Sequence, residues 1–454
     1  MKQKACPPKF LNKSSEIIRN QEISQKFRRA WIISVNMGYG HQRTAHPLKG
    51  LSPEGKIINA NDYQGIPEKD RKIWESTKKF YEFVSIFKRI PLIGRAVFFI
   101  FDQFQKILSF YPKRDLSKPS FQLKQVFSLI KRDWGKHFIE RLKQKPLFLI
   151  STFFIPAFMA EFFNYPGEIF CVICDADISR AWVSLKPRSS KIKYFAPTTR
   201  VVERLKLYGV KPKNIFLTGF PLPSENIGGV KLDTLRADLR YRMLNLDPQK
   251  KYFEKYSILI EKKLGKLAEK PDHSLTIMFV VGGAGAQKEI GIKIIQSLAK
   301  KIKKNEIKII LAAGIREKVR EYFEKNIEKL GLKEYLQKNV EIIFEKDIGG
   351  YFQDFNRALR KTDILWTKPS ELSFYSALGL PIIIAPPIGS QEEFNMRWLL
   401  KSGFGILQEN PAYTNQWLFD WLEKGYLAEF AMQGFIEGEK LGTYNIKRIV
   451  QTPY

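Results

Sequence analysis

RRAWIISVNMGYGH, residues 28–41, passes from a short apolar run into a glycine turn and then into a helical stretch. A brief apolar run closed by such a turn signals a buried strand, so the segment reads as strand, loop, helix. Outward from it, apolar runs at 147–152, 169–174, 193–196 and 215–218 are separated by helix-length segments. That alternation is the pattern of an α/β domain with a mostly parallel sheet. It restarts at 275–281 (LTIMFVV) and recurs at 307–312, 340–344, 363–367 and 381–385. The expectation is an α/β chain of two Rossmann-like domains facing across a cleft.

The expected divisions are a polar tail at 1–28, a first domain at 29–230, linking helices at 231–270, a second domain at 271–430 and a closing segment at 431–454. The aromatic stretch 416–441 has a helical pattern and is expected to pack back on the first domain. With 454 residues, 44% of them hydrophobic and 13% aromatic, the chain has material for two large cores and is not a disordered protein.

Charge is uneven. The net formal charge is +30, and residues 1–270 hold 51 Lys and Arg against 24 Asp and Glu, while 271–454 are nearly balanced. A positive field of this kind attracts nucleic acid or anionic lipid. Its densest part is 71–145, with 18 basic against 6 acidic residues interleaved with aromatics. There Val97, Phe98, Phe101, Phe104, Ile107, Leu108 and Tyr111 fall on one helical stripe, flanked by Arg95, Lys106, Lys113 and Arg114. A basic amphipathic helix of this type lies in a lipid interface, although the same stripe also suits packing onto a sheet. Arg95, Phe98, Phe101, Phe104 and Lys106 are therefore the expected membrane or acceptor contacts. Single-stranded nucleic acid would suit the composition, but no RNA-binding module is present, so no nucleic-acid partner is expected.

The three cysteines, Cys6, Cys171 and Cys174, form no disulfide framework, which fits a reducing compartment. The first residues lack an apolar leader and no run reaches the length of a spanning helix. The expected location is cytoplasmic, peripheral to a membrane. Oligomeric state is not legible in the sequence.

Two glycine loops follow strands. Gly38 and Gly40 allow close backbone approach to a ligand, and His41 opens the next helix, where it either caps the helix or accepts a proton near neutral pH. Gly282, Gly283 and Gly285 precede a helix starting near Gln287, and amides there would bind a diphosphate without a metal. The dinucleotide fingerprint is incomplete, which disfavours a nicotinamide enzyme. Farther on, Lys368, Ser370 and Glu371 are placed at one helix start and Gln391, Glu392 and Asn395 at the next, on the same cleft edge. Ser370 and Glu371 equally suit ordinary capping. Asp175 and Asp177 spell the DxD pattern of metal-dependent transferases, while Cys171 and Cys174 lack the further ligands of a zinc site.

Four segments together resemble glycosyltransferase family 28: VNMGYGH (35–41), CDADISRAW (174–182), LYGVKPKNIFLTGFPLP (207–223) and TKPSELSFYSALGLPIIIAPPIGSQEEFN (367–395). The resemblance runs from about Trp31 to about Gly405. It implies a GT-B fold and a UDP-sugar co-substrate, with neither cofactor nor metal. His41 would be the base and Asp175 an active-site carboxylate near the acceptor. Gly38, Gly40, Gly282, Gly283, Gly285, Lys368, Ser370, Glu371, Gln391, Glu392 and Asn395 would line the donor site. The implied reaction moves a sugar to a lipid-type acceptor at the cytoplasmic membrane face, with inversion. A UDP-sugar 2-epimerase of the same architecture and a non-catalytic membrane-bound sensor are the alternatives. Three features depart from the family: Tyr39 replaces its middle glycine, Phe374 stands where it has an acidic ribose ligand, and the pair Ser179 and Arg180 occupies the place of a frequent histidine.

Overall fold

The computed structural model describes residues 28–87, 107–282 and 285–452. Arg95, Phe98, Phe101, Phe104, Lys106 and Gly283 lie outside the described residues. Strands β1 (Ala30–Ser34), β2 (Ile57–Asn59), β3 (Phe148–Ser151), β4 (Ile169–Val172), β5 (Lys193–Ala196) and β6 (Ile215–Leu217) form one sheet in the order β2-β1-β3-β4-β5-β6. Strands β7 (Leu275–Val280), β8 (Ile307–Gly314), β9 (Val340–Phe344), β10 (Ile364–Thr367), β11 (Ile382–Ile384) and β12 (Gly405–Leu407) form the second, in the order β12-β11-β10-β7-β8-β9. Every pairing is parallel.

The interior strands are largely apolar, as expected of parallel strands buried on both faces, with Lys193 in β5 and Lys308 in β8 as charged exceptions. All six residues of β7 are buried. In β1, Ile33 joins one hydrophobic cluster while Ala30 and Ile32 join another, so the alternation of side chains feeds both faces. This is the expected α/β chain with two Rossmann-like units, the plan of a GT-B protein. Strands β2 and β12 were not anticipated. Each is a three-residue edge strand, too short to show a period, and its pairing with a neighbour defines it.

Both sheets reverse direction of strand order once, the first between β1 and β3 and the second between β7 and β10. In open parallel sheets ligands bind beyond the carboxyl ends of the strands at such a reversal. The first glycine loop follows β1 and the second follows β7, so each lies at its sheet's reversal point.

Segment 231–270 contains helices Asp233–Leu246 and Lys251–Leu264. Buried Arg242 on the first of them donates to the carbonyls of Thr362 and Leu378, both at 2.7 Å, which joins it to the second unit. The stretch 416–441 behaves differently from the expectation. Its helix Tyr426–Glu437 packs on residues 371–378 of the second unit, although Glu439, near its end, lies against Gly219. The return to the first sheet is made by the next helix, Gly442–Gln451, whose Ile446 and Val450 are buried with Ala30, Ile32, Ala45 and Leu48. The physical reason is pattern: Gly442–Gln451 has one apolar face to bury, and Thr443 and Asn445 beside it donate to the carbonyls of Leu222 at 2.5 Å and Thr218 at 2.9 Å.

Candidate active site

At the first reversal point, Gly38 adopts φ 123°, a backbone geometry that L side chains avoid, and turns the chain from β1 into helix Tyr39–Ala45. His41 stands on the first turn of that helix. Its Nδ1 lies 2.8 Å from the carbonyl oxygen of Thr152, immediately after β3. A carbonyl only accepts, so Nδ1–H donates and Nε2 keeps the lone pair. The Thr152 hydroxyl in turn donates to the His41 carbonyl at 2.9 Å. Burial pushes the imidazole pKa down to about 4, against the opposing pulls of the Thr152 hydrogen bond and the Glu371 charge. The ring is neutral near pH 7 and has the tautomer a base acting through Nε2 requires. His46, on the following turn, is buried edge-on against Phe352 at 5.3 Å and plays a packing role.

Asp175 follows β4 on the same side. Its Oδ1 accepts from Asn395 Nδ2 at 3.3 Å. Asn395 is 1% exposed and belongs to helix Ser390–Ser402 of the second unit. Its Oδ1 accepts the Ala176 N–H at 2.8 Å, and its Nδ2 also donates to the Pro369 carbonyl at 3.3 Å. One side chain thereby ties the two units together at Asp175. Burial raises the Asp175 pKa to about 7, opposed by the Asn395 hydrogen bond and aided by the nearby charges of Glu371 and Glu392.

At the second reversal point, Gly282 follows β7 and Lys368 follows β10. A Cβ at Gly282 would lie 2.5 Å from Lys368 Cε, so glycine is what lets the lysine cross the loop. Lys368 Nζ forms an ion pair with Glu392, whose other oxygen accepts the Ile388 N–H at 2.6 Å. Gly285, with φ 72°, closes a turn by donating to the Gly282 carbonyl at 2.7 Å. Helix Lys288–Lys303 then begins without a side-chain cap, leaving first-turn amides directed along its axis. Gln391 and Glu392 lie on the first turn of Ser390–Ser402.

Ser370 is a cap: its hydroxyl accepts the Leu372 N–H at 3.4 Å and opens a 3-10 segment, Glu371–Leu378. Glu371 points to the first unit, where its Oε1 accepts from Arg43 Nε at 3.1 Å. A Cβ on Gly40 would stand 3.2 Å from its Oε2. Phe374, at the position of the ribose carboxylate in the resemblance, is buried between Phe220 at 4.9 Å and Trp398 at 5.1 Å.

The fold thus brings His41, Asp175, Gly40, Gly282, Lys368, Glu371, Glu392 and Asn395 to the facing reversal points. It separates Asp177 from Asp175. Both Asp177 oxygens accept from buried Arg204, each at 2.8 Å, and Oδ2 also accepts from Arg200 at 3.0 Å. The DxD pair is not a pair in space. Arg180 is likewise structural, donating to the carbonyls of Ser117, Val183 and Ser184. Cys171 is buried in its strand, and Cys174 places its sulfur 3.5 Å from His41 Nδ1. Neither the Cys174 contact nor the Thr152 carbonyl was expected, since a main-chain acceptor leaves no trace in residue type.

A domain of unknown function, DUF6938, matches residues 262–395. Over 393 residues the chain is 21% identical to the processive diacylglycerol beta-glucosyltransferase of Bacillus subtilis, covering 84% of this chain and 83% of that protein. The protein of the same name from Bacillus licheniformis is 22% identical over 273 residues, 58% of this chain and 57% of its own length. A crystal structure of Acinetobacter baumannii MurG aligns over 93% of this chain and 99% of its own, with 13% identity and a TM-score of 0.45.

Proposed function

We propose that the chain is a glycosyltransferase moving a sugar from a UDP-sugar to a lipid-type acceptor at the cytoplasmic face of a membrane, with inversion and without a metal ion. The observation that carries this reading is the meeting of the two reversal points. One presents a neutral histidine with a free Nε2 lone pair, and the other presents a glycine loop, a lysine and a helix start. In the proposed step, His41 Nε2 takes the proton of an acceptor hydroxyl as its oxygen attacks the anomeric carbon. The bond from that carbon to the diphosphate oxygen breaks, and UDP leaves with the bonding pair. Charge on the leaving group is met by the amides at the start of Lys288–Lys303 and by Lys368, an arrangement ordered before the reaction begins. Asp175 is placed to orient the acceptor hydroxyl, and Gln391 with Glu392 to contact the sugar.

The lipid side rests on charge and on exposed aromatics. Tyr111 is 68% and Phe121 64% exposed in the strongly basic first half. Phe110, edge-on to Tyr111, is buried under the Arg200 guanidinium, 3.7 Å from its ring centre, which anchors this part of the basic segment. Among the described residues no helix is long and apolar enough to cross a membrane.

The test is UDP release from a panel of UDP-sugars, with and without anionic liposomes carrying total lipid extract, in the presence of EDTA. Lipid-dependent release that survives EDTA is the expected result. Conversion of a UDP-sugar without acceptor would place the chain among epimerases, and tight nucleotide binding without turnover would make it a sensor. His41→Ala should lower kcat by about a hundredfold or more while leaving donor binding within twofold, as loss of a general base does. Equal losses in both would remove His41 from the role of base.

A further inference from the structure

The short helix that carries His41 is gripped from both sides. His41 itself faces Thr152 in the first unit, whereas Tyr39 and Arg43, four residues apart and so on one face, reach into the second unit. The Tyr39 hydroxyl accepts the Ile315 N–H at 3.0 Å, at the carboxyl end of β8. Its ring lies against Gly314, where any Cβ would collide with it, and 5.4 Å from the ring of Tyr351. Arg43 donates to Glu371, and its side chain is 2% exposed. The guanidinium lies 4.3 Å from the ring centre of Phe355 and 4.7 Å from that of Phe352, both on helix Ile348–Leu359 of the second unit. Removing a buried ion pair of this kind one partner at a time is costly, so the contact holds the two units in one arrangement.

We propose that Tyr39 and Arg43 are positioning residues that bolt the His41 helix to the second unit, so that the base and the donor-binding loop share one rigid frame. This rests on the reading of His41 as the base. It also gives a role to the tyrosine that replaces a glycine in the first loop. A glycine there has no side chain to reach Ile315, and the loop would be located by the first unit alone. The Tyr39 contact adds a second reference point two residues from His41. Small displacements of a base matter steeply, because proton transfer needs a near-attack geometry.

The experiment uses the full chain and two variants. Tyr39→Phe removes the hydroxyl and keeps the ring. Arg43→Met with Glu371→Leu removes the ion pair as a unit, leaving no unpaired buried charge if a single change prevents folding. Three readouts are taken: amide exchange at Ile315, UDP affinity by calorimetry, and the His41 imidazole titration by NMR. Faster exchange at Ile315 is expected in Tyr39→Phe, with UDP affinity unchanged within twofold. In Tyr39→Phe the His41 titration should move from its depressed value toward the ordinary histidine range as water reaches the ring; the double variant also removes the Glu371 charge that raises it, so the titration is judged in Tyr39→Phe. Where turnover is measured, kcat should fall about tenfold in Tyr39→Phe, with KM for the donor little changed, and about a hundredfold in the double variant. An unmoved His41 titration, or kcat and donor affinity falling in parallel, would overturn the proposal. Full activity of His41→Ala would instead sink the base reading, and the imidazole titration would still judge the bolt.

Discussion

His41 and Asp175 are perturbed in opposite senses by one cause. Burial disfavours whichever form is charged, so the imidazole falls to about 4 and the carboxyl rises to about 7. Of the two, Asp175 changes charge near neutral pH. The kcat/KM profile of the free enzyme is expected to rise with pH through about 7 on the Asp175 ionisation. Asp175→Asn should abolish that limb, and a limb that persists in the variant belongs to another group. Stability runs the opposite way. Because the folded carboxyl holds its proton more tightly than the unfolded one, whose pKa is about 4, its contribution is lost as pH rises from that value through the folded one. His41 acts inversely, its contribution being present above about 6.5 and lost as pH falls toward its folded value. The two contributions offset each other in the parent chain, so relative to the parent Asp175→Asn should gain thermal stability as pH rises from about 4 to about 7, the loss on Asp175 ionisation being absent. Both residues were legible in the sequence because each stands in a motif beside a strand end. Thr152 and Cys174 were not, because a carbonyl contact and a neighbour on another strand carry no signature.

Elements decide what the motifs mean. The strand Ile169–Val172 ends just before Asp175, and the turn beyond it sends Asp177 toward helix Thr199–Leu207, where Arg204 is 0% exposed. The DxD spacing is real in sequence and void in space. Asp177→Ala should destabilise the chain by about 3–5 kcal/mol in urea unfolding, since it strands a buried guanidinium. A near-neutral result would mean that Arg204 finds other acceptors, of which the Leu108 carbonyl at 2.9 Å is already one. Helix starts show the same dependence. Ser370 and Glu371 lie where the sequence put them, but the segment is a 3-10 turn, and it aims Glu371 at Arg43 instead of leaving it open to a ribose. Phe374 is explained by packing, since Phe220 and Trp398 close around it.

At the scale of the whole molecule, the two Rossmann-like units are joined by side chains at the cleft and by a chain crossing behind it. Gly442–Gln451 covers the first sheet although it follows the entire second unit. Gly442 is needed there because a side chain would run into the Phe220 carbonyl. Ile446 is fully buried in that face, and Ile446→Ala should cost about 2–5 kcal/mol, measured by denaturant unfolding. A smaller loss would show that the closing helix is dispensable to the first unit. The sequence alone determined the run of interior strands, the two glycine loops, the polar clusters near 370 and 392, and the concentration of positive charge before residue 271. These are local properties: a buried parallel strand is largely apolar, the loop that lets Lys368 cross it is glycine, and charge is a matter of counting. Only the tertiary structure decided which of these groups meet. Arg43 and Glu371 are 328 residues apart in sequence, and Asp175 and Asn395 are 220 apart. Such pairs depend on how two sheets are turned toward each other, a relation set by packing across the cleft and by the returning helix, and no local pattern encodes it.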